Sequence, residues 1–152
     1  MSNQNYTAVF TVDRSPAAVF DAINDARGWW SQELEGDTGK IGSVFYHHYK
    51  DMHRCTLKIT EMVPGKKVVW HVLHNDFDFI SDKTEWNDTD IVFEIARNGD
   101  QTEVRFTHVG LAPAWECYDV CSNAWGRYIT GSLRNFITTG KGQPNLIETP
   151  QP

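Results

Sequence analysis

The chain opens with an alternating, β-branched and aromatic stretch, "YTAVFTV" (Tyr6–Val12), and passes at once into a segment of different period. In "DRSPAAVFDAIND", Ser15 stands where a helix N-cap belongs, Pro16 takes the first helical position, and Val19, Phe20 and Ile23 recur at helical spacing. A strand running straight into a short helix is predicted. "ARGWWSQELEGDTGKIG" then breaks the pattern with glycines and polar residues. Beyond it period two returns, predicting strands over 44–50, 54–62, 67–75, 89–97 and 102–109. The Pro-Gly of "VPGK" and the Asn-Gly of "RNGDQ" are turn signals between such strands, so the sheet should be a mostly antiparallel meander.

From Pro113 the period changes to 3.6, and Tyr118, Cys121, Trp125, Ile129, Leu133 and Phe136 fall on one stripe of a long helix. Gly140 suits the position just past its end, and Pro144 prevents it from resuming. A helix with one apolar stripe has to bury it, and a curved antiparallel sheet wrapped around that helix does so. The expected fold class is α+β, a helix-grip, with residues 1–144 forming one domain and 145–152 a flexible tail.

Charge narrows the partners. A net charge of −6, with 14 basic residues scattered along the chain, argues against nucleic acid and against an anionic membrane surface. No apolar run approaches the ~20 residues that span a bilayer. The N-terminus has neither a basic n-region nor an apolar h-region, so an integral membrane protein is not expected and a cytoplasmic location is. Three cysteines, an odd number, fit reduced thiols in that compartment.

Four stretches carry a resemblance: "FTVDRSPAAVFDAIND", "TLKITEMVPGKKVVWHV", "EVRFTHVGL" and "WGRYITGSLRNFITTGKGQP". Together, from Tyr6 to Pro144, the chain resembles bacterial proteins related to the C-terminal domain of the activator of heat-shock protein 90 ATPase. These belong to the SRPBCC, or START-like, superfamily, which shares the fold of the birch pollen allergen. The resemblance implies a cavity between sheet and helix that in different members holds lipids, sterols, polyketides or plant hormones. It implies no common catalytic residue.

Candidate cavity residues follow from the periodicities. On the helix they are Tyr118, Cys121, Trp125 and Ile129; on strands, alternation puts Phe45 and His47 on one face, Cys55 and Leu57 on another, and Phe106 and His108 on a third. Tyr49 shares the face of His47. The plain alternative for each is a packed core, and for His108 a core histidine bonded to its surroundings. In the acidic loop "NDFDFISDKTEWNDTD", Phe77, Phe79 and Trp86 are unusual for solvent and would suit a lid; "GWWS" would suit the opposite rim. That loop departs from a calcium loop, with Ser81 in place of the required glycine.

Other chemistries find less support. "HHYKDMHRC" offers three histidines and a cysteine, but His47 and His48 point to opposite faces of a strand, so no metal is expected. Cys117 and Cys121 lie four apart on a helix, outside good disulfide geometry, and about 40° apart around it. "GDTGKIGS" and "TGKGQP" lack the phosphate-loop spacing. An acid or base could be sought in His108, His71 or Glu61, and nothing in the spacing selects among them. The expected function is therefore binding of a small hydrophobic or amphipathic molecule, lipid-like or aromatic, without cofactor or assigned catalytic residue. The alternatives are stimulation of a chaperone ATPase and, third, a cyclase or hydrolase using the same cavity.

Overall fold

The computed structural model describes residues 5–49, 53–78, 80–81 and 83–145. Strand β1 (Tyr6–Val12) leads into helix α1 (Pro16–Asn24), and Ser15 Oγ accepts the Ala18 amide at 3.1 Å as the N-cap. After a short turn of 3-10 helix (Ala26–Gly28) come β2 (Leu34–Glu35), β3 (Val44–Tyr49), β4 (His53–Val63), β5 (Lys67–Phe77), β6 (Asp90–Asn98) and β7 (Gln101–His108). They form one antiparallel sheet in the order β1-β7-β6-β5-β4-β3-β2. Every pair after β2 joins strands adjacent in sequence, as the meander requires, and β1 returns to close the far edge on β7.

The sheet curves around a helical run from Tyr118 to Thr139, which consists of α2 (Tyr118–Gly126), a π-helical stretch (Arg127–Leu133) and α3 (Arg134–Thr139). This is the helix-grip architecture. The run begins five residues after Pro113, because residues 113–117 form turns and the Glu85 carboxylate accepts the amides of Glu116 (2.7 Å) and Cys117 (3.0 Å). A carboxylate at that position satisfies the amides of the N-cap and of the residue before it, and favours the positive end of the helix.

The π-helical stretch corrects the expected stripe. Cys121, Trp125, Ile129, Leu133 and Ile137 are all buried, each four residues from the last. In a straight α-helix each such step drifts by about 40°. Widening the helix by the i→i+5 pattern takes up that drift and keeps the row facing the sheet. Ile137 therefore points inward where constant periodicity assigns Phe136, and Phe136 packs over the bare Cα of Gly28.

A bulge does comparable work in β5. Leu57 pairs with Val72 but Thr56 pairs with His74, so Leu73 is an extra residue. Val68, Trp70 and Val72 face inward before it, Leu73 and His74 both face out, and Asn75 and Phe77 are then buried. Strict alternation would have buried His74 and Asp76; the bulge spares the charge and aims an amide and a phenyl ring inward. Inside, five of the six tryptophans form a chain of rings, with centroids 6.1 Å apart for Trp29–Trp70, 5.4 Å for Trp70–Trp30, 5.6 Å for Trp30–Trp125 and 5.6 Å for Trp125–Trp86.

The chain stays pinned beyond the expected boundary at 144. Asn145 bonds Trp30 and Gln32 through its backbone (2.9 and 2.8 Å), and its side-chain amide donates to Tyr128 Oη at 2.7 Å. The rest of the expected tail, 146–152, lies outside the described residues. Ser132 ties this strap down: buried within the helix, it donates to the Trp29 carbonyl at 2.7 Å and accepts the Gln143 amide at 2.6 Å. A Cβ on Gly142 would lie 2.4 Å from the Gly28 carbonyl oxygen, so only a glycine passes there. Ser132→Ala is expected to cost about 1–3 kcal/mol by stranding both partners. Urea unfolding would measure the loss, and amide exchange should show Gln143 opening first.

Candidate functional site

Between the N-terminal half of the long helix and the β3–β5 end of the sheet lies a partly enclosed cavity of about 230 Å³. The helix contributes Val120, Cys121, Ala124, Trp125, Arg127 and Tyr128. The sheet contributes His47 and Tyr49 from β3, His53 from β4 and Phe77 from β5. Trp30, Trp86 and Asn145 complete the wall from the three irregular segments. Four of the residues expected from sequence line it: His47, Trp86, Cys121 and Trp125.

The other expected positions lie elsewhere. Phe45, Cys55, Leu57, Phe106 and Ile129 are fully buried in the core away from the cavity; Phe45 packs edge-on against Trp70 (5.1 Å), and Phe106 fills the space between Phe93 (5.3 Å) and Trp125 (4.7 Å). Tyr118 faces a shallow outer groove with Tyr6 and Ser122. Phe77 and Trp86, expected in a lid, are buried, and Phe79 lies outside the described residues. Of the two tryptophans expected at the rim, Trp30 lines the cavity and Trp29 is core, donating its indole N–H to the Ile23 carbonyl at 3.1 Å.

His108 is bonded on both sides and sits behind the wall. Trp125 Nε1 donates to its Nδ1 at 3.2 Å, and Thr89 Oγ1, whose proton goes to the Trp86 carbonyl, takes its Nε2–H at 2.9 Å. One tautomer satisfies both contacts. Burial, helped by the nearby His53, pushes its pKa down to about 3, so it is neutral. Neither His71 nor Glu61 reaches the cavity: His71 Nδ1 contacts Asp90 at 2.7 Å, and Glu61 pairs with Lys67 at 3.4 Å on the outer surface.

Two histidines do belong to the cavity. His47 stacks on Trp30 with centroids 4.2 Å apart, and His53 meets it edge-on at 5.0 Å. Asn75 orients His53: its Nδ2 donates to the Lys83 carbonyl (3.3 Å), so its Oδ1 is the acceptor 2.6 Å from His53 Nε2. His53 thus carries its proton on Nε2. Burial lowers its pKa to about 4 despite the Asn75 bond, and burial with the neighbouring His53 and His48 lowers that of His47 well below the ordinary value. Both rings offer hydrogen bonds without charge.

The thiols are quiet. The bond between the Cys117 and Cys121 thiols, then burial, pushes Cys117 up, and burial alone pushes Cys55 up. Neither is a thiolate at neutral pH. Among the described residues no three His, Cys, Asp or Glu side chains converge on a point that could hold a metal.

Some missed positions had a signal. His53 is in phase with Cys55 and Leu57, and extending the strand by one residue finds it. Ala124 follows Cys121, and Tyr128 follows Trp125, each at the helical spacing of three. Arg127 and Asn145 had none, since one depends on the π-helical stretch and the other on the strap.

Residues 13–137 match the family described as "Activator of Hsp90 ATPase homolog 1-like protein". The chain belongs to this family. No curated sequence is significantly similar to it. Among solved structures it is similar to the Aha1 dimer from Colwellia psychrerythraea, with 23% identity and a TM-score of 0.73 over 91% of this chain and 99% of that one. It is also similar to DynU16, a putative protein in the dynemicin biosynthetic locus, at 11% identity and a TM-score of 0.69, covering 93% of this chain and 49% of that one. CalU16 from Micromonospora echinospora matches at 14% identity and a TM-score of 0.62, over 94% of this chain and 88% of that one. At these identities what is shared is the fold. No helix among the described residues is long and apolar enough to cross a membrane.

Proposed function

We propose that this member of the family binds a small, largely apolar molecule in the cavity between sheet and helix. The observation that carries the reading is a 230 Å³ space walled by the indoles of Trp30, Trp86 and Trp125 and the ring of Phe77, with a few polar groups among them. Mostly aromatic walls with sparse polar anchors are what ligand sites present. Size favours the aromatic version over the lipid-like one: a cavity of about 150 Å³ holds benzene, so this one suits a molecule of one or two rings and is short for a long acyl chain.

The test is titration with toluene and naphthalene, read by tryptophan fluorescence and by indole N–H chemical shifts. Shifts should cluster at Trp30, Trp86, Trp125 and the amides of 120–128. No change up to the solubility limit of both probes would overturn the reading. Stimulation of a chaperone ATPase, the other function expected from sequence, rests on the family's description and would use an outer surface. The two separate cleanly, because Ala124→Phe, which fills the cavity, should abolish probe binding and leave any stimulation intact.

A further inference from the structure

We infer that the cavity's ligand is an aromatic hydroxy acid, its hydroxyl held between His47 and His53 and its carboxylate on Arg127. The inference rests on the cavity reading and specifies what occupies it.

His47 is only 2% exposed, yet neither of its ring nitrogens has a hydrogen-bond partner among the described residues. Leaving such a group dry is costly. Its Nδ1 is sealed off without a partner, and the ring lines the cavity, so a molecule in the cavity is what its Nε2 can meet. On the neighbouring ring, Asn75 has taken the Nε2–H of His53, which leaves His53 Nδ1 an acceptor without a partner among the described residues. The pair therefore asks for a group that accepts from one ring and donates to the other. A hydroxyl does both, and a carbonyl or an ammonium does one only. The rings being neutral, neither supplies a counter-charge to a carboxylate.

The charge sits on the helix side. Among the described residues, Arg127 is the one Lys or Arg lining the cavity, no Asp or Glu lines it, and no carboxylate pairs with Arg127. Arg127 is exposed at the cavity mouth, where its planar guanidinium can match a carboxylate in two hydrogen bonds. Between the two polar ends stand Trp30, Trp86 and Trp125, which suit a flat ring.

The experiment compares para-hydroxybenzoate, benzoate, phenol and toluene on the full chain by isothermal titration, with His47→Phe and Arg127→Gln as variants. On the unmodified protein para-hydroxybenzoate should bind tightest, and loss of either the hydroxyl or the carboxylate should weaken binding by about tenfold. In His47→Phe the hydroxyl should no longer matter, and in Arg127→Gln the carboxylate should no longer matter, each ratio falling to about twofold or less. Four probes binding the unmodified protein within about twofold of one another would overturn this inference and leave the cavity reading standing; that comparison needs no variant to fold. Failure of every probe, toluene included, would overturn the cavity reading itself.

Discussion

Acidification from pH 7 to pH 5 is expected to remove about 4 kcal/mol of stability through His53 and His108 alone, before any carboxylate contributes. Both histidines have native pKa values pushed down, to about 4 and about 3, by burial. In the unfolded chain they return to about 6.5. Below that value the unfolded state binds protons that the native state refuses, so stability falls as pH falls. The loss continues until the native rings titrate, near pH 4 for His53 and near pH 3 for His108. His47, lowered in the same direction, adds to the effect, while partial exposure of His53 screens its share. A domain holds about 5–15 kcal/mol in total, so this loss brings the fold close to its limit in mild acid. Urea midpoints at pH 7, 6 and 5, followed by tryptophan fluorescence, should fall steadily. A midpoint constant across that range would mean that these rings protonate normally inside the folded protein.

The same histidines mark how far the amino-acid pattern could be read. Strand positions followed from alternation, and the long helix from the stripe through Trp125, because burial on one face imposes a period that the chain itself displays. The site was half visible. His47 and Trp125 face the cavity as periodicity expects, but Leu57 and Phe106, with the same pattern, are core. Alternation tells inside from outside and is silent on whether the inside is filled. Departures from regularity decided the rest. The extra residue at Leu73 turned Asn75 toward His53, and the π-helical stretch exchanged Phe136 for Ile137. Each is a one-residue change of phase set by packing between elements, which no local spacing records. The strap through Asn145 depends on contacts with Ser132 and Trp30, more than ten residues away in either case.

Trp125→Ala should be the most damaging single change, costing about 4–8 kcal/mol and abolishing ligand binding. The indole is 2% exposed and touches Trp30, Trp86 and Phe106, with centroids 5.6, 5.6 and 4.7 Å away. Truncating a ring so placed costs about 3–5 kcal/mol in lost contacts and residual cavity. It also removes the N–H that His108 Nδ1 accepts, leaving a buried acceptor with nothing to bond, which adds about 1–3 kcal/mol. Trp125→Phe separates the two effects: it keeps most of the ring's packing and loses only the donor, so it should cost about a third as much. If the two variants were equally unstable in urea, the hydrogen bond to His108, and not ring packing, would dominate. Because one face of this indole lines the cavity while its N–H holds the core histidine, occupancy and stability are coupled. A bound aromatic molecule packs on the same ring and should raise the unfolding midpoint with its concentration, and Trp125→Ala should lose that response together with the affinity.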